Sequence, residues 1–181
     1  MIELVVPDPS LVVLVAAAGA GKSTFAARHF GPAEILSSDA YRARIAGDEA
    51  DQRATRAAFR LLHRDLDRRL SQGRLTVVDA TNVERSARRE LLARAAAAGV
   101  PAVAVVLDLP PPVIVARNAG RATRIVDEGV VRRHLARLRA SLDGPSAPLD
   151  GEGFLRVIVL TDPVEVDAIR VVRTRPAGAD D

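Results

Sequence analysis

Leu11-Val12-Val13-Leu14-Val15 runs directly into Ala16-Ala17-Ala18-Gly19-Ala20-Gly21-Lys22-Ser23-Thr24, and the change of character after Val15 decides the fold. An unbroken run of branched apolar residues is the signature of a strand buried on both faces of a parallel sheet. The next residues cannot continue that strand: two glycines open the backbone to angles closed to other residues, and Phe25, Ala26 and Ala27 then begin a helix. A strand, a glycine-rich turn and a helix carrying G-x-x-x-x-G-K-[ST] form a cradle for nucleotide phosphates. Successive N–H groups turn inward around the anion, and the helix adds its positive end and unpaired donors. Ala18, Gly19, Ala20, Gly21, Lys22, Ser23 and Thr24 are therefore the expected nucleotide contacts. Lys22 is expected to neutralise the β- and γ-phosphates, and Ser23 to place a hydroxyl on Mg²⁺. Position 16 departs from the pattern, with alanine where the first glycine is usual.

Outward from this loop, apolar runs at Ile35-Leu36, Leu75–Val78, Val103–Leu107 and Val157–Leu160 read as four further strands. Between them Ala54, Ala57, Ala58, Leu61, Leu62, Leu66 and Leu70 recur at helical spacing, with Arg56, Arg60, Arg64 and Arg68 on the opposite face. Val131, Leu135, Leu138 and Leu142 mark another helix over 128–142. Strands alternating with helices predict an α/β fold of the P-loop NTPase type: a parallel sheet of about five strands with helices on both faces. We expect a single kinase-like domain over 1–175, a helical lid near 117–140, a surface loop at 143–148 and a flexible tail at 176–181.

Composition narrows the chemistry. The 181 residues include no cysteine, which removes disulfides, thiolate metal sites and cysteine nucleophiles together. Aromatic residues make up 3%, too few for a base-stacking platform. Lys22 is the lone lysine among 26 basic residues, so its place in the phosphate loop calls for a specific explanation. Apolar runs such as Leu11 to Ala18 fall far short of the ~18 residues a membrane span requires. No leader pattern opens the chain, and a cytoplasmic enzyme without a membrane partner is the expectation. His29, His63 and His134 lack metal-ligand spacing and are expected at helix surfaces or boundaries.

Three constellations bear on what happens to the bound nucleotide. Ser37-Ser38-Asp39 ends the second apolar run and opens a helix carrying Arg42. At a strand end lining the crevice, Asp39 can accept the proton of an attacking hydroxyl while Arg42 holds an anionic acceptor; the alternative is that Ser38 or Asp39 caps the helix. Asp79, in Val77-Val78-Asp79-Ala80-Thr81-Asn82, stands where a carboxylate orients Mg²⁺ or its waters. Thr81 or Asn82 is available to cap the next helix, whose charged side includes Glu84, Arg88 and Arg89. Arg117, Arg121 and Arg124 are spaced to share one helix face, below Pro110-Pro111-Pro112 and around Gly120. That suits a hinged lid delivering arginines to a transferring phosphoryl group, and equally a solvated face.

Taken together, residues 11–30, Leu36-Ser37-Ser38-Asp39, Thr76 to Asn82, Arg117 to Arg124 and the segment Val164 to Arg173 resemble the 5′-hydroxyl kinase domain of bacterial polynucleotide kinase-phosphatase, an RNA repair family. The resemblance implies transfer of the γ-phosphate of ATP, GTP or another NTP, with Mg²⁺ or Mn²⁺, to a 5′-OH end of RNA or DNA. It implies Lys22, Asp39, Arg117 and Arg121 as catalytic residues and Arg42 on the phosphate beside the acceptor nucleoside. Ser23 and Asp79 would serve the metal, and Arg117, Arg121 and Arg124 the donor nucleotide. In that family phosphatase and ligase modules follow, and they are the partners to expect. Segments 53–74 and 117–139 each carry seven arginines against two acids, a local excess able to track a phosphate backbone or simply to solvate helix faces. Two other classes remain open: a P-loop kinase of a small metabolite (a sugar acid, a nucleoside or similar) and a nucleotide-binding regulatory module.

Overall fold

The computed structural model describes residues 3–46, 55–120, 125–143 and 148–175. In chain order its elements begin with β1 (Glu3–Pro7), β2 (Leu11–Val15), α1 (Lys22–His29), β3 (Ile35–Ser37), α2 (Ser38–Ala46) and α3 (Thr55–Ser71). There follow β4 (Thr76–Asp79), α4 (Arg85–Ala97), β5 (Ala102–Leu107), α5 (Pro111–Ala119) and α6 (Glu128–Asp143). The chain closes with β6 (Arg156–Leu160), α7 (Pro163–Ala168) and β7 (Arg170–Thr174).

The main sheet has five parallel strands in the order β3-β4-β2-β5-β6, as expected for a P-loop NTPase fold. All five side chains of β2 are shut off from solvent, because helices cover both faces of the sheet. Along β2 and β5 alternate residues enter opposite cores. Val12, Leu14, Val103 and Val105 meet Phe25, Ile114, Val131 and Leu135 from α1, α5 and α6. On the other face Leu11, Val13, Ala104 and Val106 meet Leu62, Leu66, Leu70 and Leu91 from α3 and α4. Each buried aliphatic side chain contributes about 1.5–3 kcal/mol relative to exposure. Pro111 opens α5, where its missing N–H costs nothing.

Beside this sheet stands a second one that the sequence reading does not anticipate. β1 pairs in parallel with β7, Glu3 opposite Arg170 through Pro7 opposite Thr174. Leu4 and Val6 point into the core while their neighbours face outward, so the pair lies over the α1 side of the fold. Arg173 clamps it to the turn before β3, donating from both terminal nitrogens to the Glu34 carboxylate at 2.8 Å each.

The charged side expected for α4 is corrected at Arg88, which is wholly buried. Its Nε and Nη2 donate to Glu152 at 2.8 and 2.5 Å, Nη1 to the carbonyls of Asn82 and Val83, and Nη2 to Ser141 Oγ at 3.1 Å. A guanidinium tolerates full burial only when its fork is matched in this way.

Candidate active site

β2, β3 and β4 all end on one edge of the sheet, so the loops that follow them meet in one crevice. After β2 the backbone turns through Gly19 at φ +88° and Gly21 at φ +100°, both in the left-handed region. At Gly19 the demand is also one of space: a Cβ there would lie 2.9 Å from both Asn118 Cβ and the Ile114 carbonyl oxygen. Gly19→Ala is therefore expected to weaken NTP binding about tenfold or more, read by titration with a fluorescent NTP analogue. Unchanged affinity would mean that the loop conformation is not what the nucleotide needs. Ala16, with no left-handed angle recorded, fits its position with a buried methyl.

Lys22 begins α1, and its buried ammonium donates to the Ala16 and Ala17 carbonyls at 3.1 and 2.8 Å, folded over the loop it belongs to. Ser23 Oγ donates to Asp79 Oδ2 at 2.7 Å across the gap from α1 to the end of β4. A hydroxyl and a buried carboxylate in contact are the hard oxygen donors that Mg²⁺ or Mn²⁺ favours, so the residues present fit such an ion beside the phosphate loop.

A cavity of about 510 Å³ opens here, and its lining brings together Gly19, Gly21, Lys22, Ser23 and Asp79 with Ser38, Asp39 and Arg42. Asp39 and Arg42 form an ion pair on α2, the guanidinium buried and the carboxylate one-third exposed. At the start of α2 the N–H of Ala40 lies 3.5 Å from the Ser37 hydroxyl. α2 is held against α3 by Tyr41, whose hydroxyl donates to Asp65 Oδ2 at 2.6 Å. Burial and that bond push the phenol up to about 12, and the same bond holds the Asp65 carboxyl below its ordinary value.

The two residues read as caps after β4 have other work. α4 starts at Arg85, with no side-chain cap. Thr81 lines the cavity and its carbonyl accepts from Ala16 N–H at 3.0 Å. Asn82, at φ +49°, donates its amide to Leu14 O at 2.8 Å. These two bonds lash the end of β4 to the root of the phosphate loop, which sets the Ser23–Asp79 distance.

Arg117 lies beside the loop, its Nη1 3.6 Å from where a Gly21 Cβ would be. Together with Thr24, Phe25, Arg28, Val166 and Asp167 it lines a second cavity of about 330 Å³ on the outer side of the loop. α5 carries Arg117 and ends at Ala119, with Gly120 as its C-cap. Arg121 and Arg124 lie outside the described residues, as does the 176–181 tail.

Several lining residues carry no signal in the sequence. Asn118, almost wholly buried, spans the segment ahead of α6: its amide donates to Val126 O at 2.6 Å and its carbonyl accepts from Val126 N–H at 3.1 Å. It also packs on Gly19, so one side chain touches the phosphate loop and both roots of the expected lid. His134, set aside above, lines the main cavity, and burial followed by the nearby Lys22 and Arg137 charges lowers its pKa. Phe59, Ile125, Val126 and Val130 give the cavity an apolar wall.

Among the described residues no helix is long and apolar enough to cross a membrane, and no group of three or more acidic or histidine side chains is arranged to hold a metal. No curated protein matches the sequence. In structure the chain is similar to a chain of the Pnkp1/Rnl/Hen1 RNA repair complex, at 19% identity and TM-score 0.63, over 74% of this chain but only 45% of the length of that one. It is also similar to a sugar kinase from Janibacter sp. HTCC2649, at 23% identity and TM-score 0.57, over 87% of this chain and 90% of that one. A gluconokinase from Sinorhizobium meliloti 1021 aligns at 17% identity and TM-score 0.50, over 86% and 84%. The sequence model of the AAA_33 family, described as an AAA domain, matches residues 11–145, from the first strand of the main sheet through the end of α6. With most of its length matched in this way, the chain belongs to the AAA_33 family.

Proposed function

We propose that this chain transfers the γ-phosphate of an NTP to the 5′-OH end of a polynucleotide. The observation that carries the proposal is the Asp39–Arg42 pair on α2, lining one cavity with Lys22 and Ser23. A carboxylate beside a guanidinium suits an acceptor that has both a hydroxyl to deprotonate and a phosphate to hold. The apolar wall of Phe59, Ile125 and Val130 suits a nucleobase better than a polyol, which would leave its hydroxyls unpaired there.

In this reading the loop N–H groups and Lys22 bind the donor phosphates, Lys22 exchanging two carbonyl partners for phosphate oxygens. Arg117 faces the donor from the outer side of the loop. Ser23 and Asp79 would hold Mg²⁺ or Mn²⁺, which when bound would neutralise the phosphate charge. An acceptor phosphate draws the Arg42 guanidinium, and the Asp39 carboxylate receives the proton of the 5′-hydroxyl. The oxygen–γ-phosphorus bond forms, the bond from that phosphorus to the bridging oxygen breaks, and the nucleoside diphosphate leaves. Arg121 and Arg124 are proposed to meet the donor from the lid, and the whole of 1–175 to act as one kinase domain, with phosphatase and ligase modules as its partners in end repair inside the cytoplasm.

A second reading, a small-metabolite kinase, is supported by the likeness to the sugar kinase and the gluconokinase over 87% and 86% of this chain. Incubation with labelled NTP, Mg²⁺ or Mn²⁺ and a 5′-OH oligonucleotide separates the two. Label is expected on the 5′-OH strand and not on a 5′-phosphorylated control. Label confined to a sugar acid or a free nucleoside would sink the polynucleotide reading and support the second.

A further inference from the structure

On α3, Arg56, Arg60, Arg64 and Arg68 recur every fourth residue and all four are exposed. At 1.5 Å per residue their spacing along the axis is about 6 Å, and the series spans about 18 Å. The ladder starts at the cavity, since Thr55 and Phe59, which flank Arg56, line it on the acceptor side with Arg42. It is poorly neutralised. Among the described residues neither Arg56 nor Arg60 has an acidic partner. Arg64 and Arg68 share one carboxylate oxygen of Asp65 at 3.4 Å each, and Tyr41 already takes the other oxygen. The remaining acid of this stretch, Asp67, is taken by Arg94 at 2.5 Å. A row of guanidinium groups at regular spacing, leading away from a hydroxyl-accepting site and short of counter-charge, matches a polyanion and has no counterpart in what a small sugar needs.

We infer that the arginine ladder of α3 is the track for the acceptor strand, binding the backbone phosphates of single-stranded RNA or DNA downstream of the 5′-terminal nucleoside. The inference rests on the polynucleotide reading above and gives it a second, separable surface. Arg42 holds the first phosphate and the ladder holds those that follow, so a strand gains affinity over a mononucleotide through charge alone.

Steady-state transfer is measured with two acceptors, a nucleoside 3′-monophosphate and a 5′-OH 12-mer, alongside anisotropy of the labelled 12-mer across a salt series. With the wild-type chain KM is expected to be lower for the 12-mer. The double variant Arg56→Gln/Arg60→Gln is expected to raise KM for the 12-mer and its dissociation constant about tenfold, with a salt slope shallower by about 1. Its kcat, and all parameters for the mononucleotide, are expected to stay unchanged, and Arg56→Lys/Arg60→Lys is expected to recover binding. Equal KM values for the two acceptors, or a double variant with wild-type 12-mer affinity, would overturn the ladder and leave the polynucleotide reading standing. Failure to phosphorylate any 5′-OH acceptor, with a small metabolite used instead, would overturn both.

Discussion

Asp39→Asn is expected to cut phosphoryl transfer by about 10²–10⁴-fold while NTP affinity stays near wild type. The asymmetry follows from position. Asp39 lines the cavity from α2, outside the phosphate loop, and is paired with Arg42. Asparagine keeps the size of the side chain and its place in the first turn of α2, but cannot take the hydroxyl proton. Single-turnover transfer and equilibrium NTP titration on the same preparation check it. A loss shared equally by binding and transfer would mean that Asp39 acts through the loop. Unimpaired transfer would remove it as the base and, with it, the proposed mechanism. A nucleotide-binding regulatory module predicts that unimpaired behaviour.

Arg88→Met is expected to destabilise the fold by about 3–5 kcal/mol, because one partner of a fully buried ion pair is removed and the other is left uncompensated. Glu152 would lose two charge-assisted bonds in a place where its side chain is 1% exposed, with Arg85 at 3.8 Å as its next cation. The carbonyls of Asn82 and Val83 and the Ser141 hydroxyl lose their donors as well. Urea unfolding measures the change. Arg88→Met/Glu152→Leu, which removes both charges, is expected to recover much of the loss. If the single variant matched wild type, the buried pair would not be a keystone of this fold. A consequence at the active site is also expected: Arg88 holds the turn in which Asn82 is lashed to Leu14, so residual folded protein should bind NTP less tightly.

Much of the candidate site was legible because its determinants are local. A strand buried on both faces announces itself as continuous apolar sequence, and a phosphate loop needs glycines, a lysine and a hydroxyl at fixed offsets on one short segment. Asp39 and Asp79 could be singled out because strand ends sit on the crevice edge in any parallel α/β sheet. The reading that failed extended local spacing to a side chain that a remote partner claims. Arg88 has the spacing of a surface residue, yet Glu152, far along the chain, draws it inside.

The sequence alone therefore determined the sheet, the loop and the identity of the groups able to meet a triphosphate, since each is encoded within one turn or one strand. Tertiary structure decided what those groups face. It paired the chain's two ends as β1 and β7, closed Asn118 onto Val126 beside Gly19, and turned His134 and Phe59 toward the cavity. It also brought Asp39 and Lys22 to the lining of one cavity, with α2 held to α3 by the Tyr41–Asp65 bond. Each of these depends on a contact between segments remote in the chain, and the strength of such a contact comes from burial that exists only once the whole sheet has been covered.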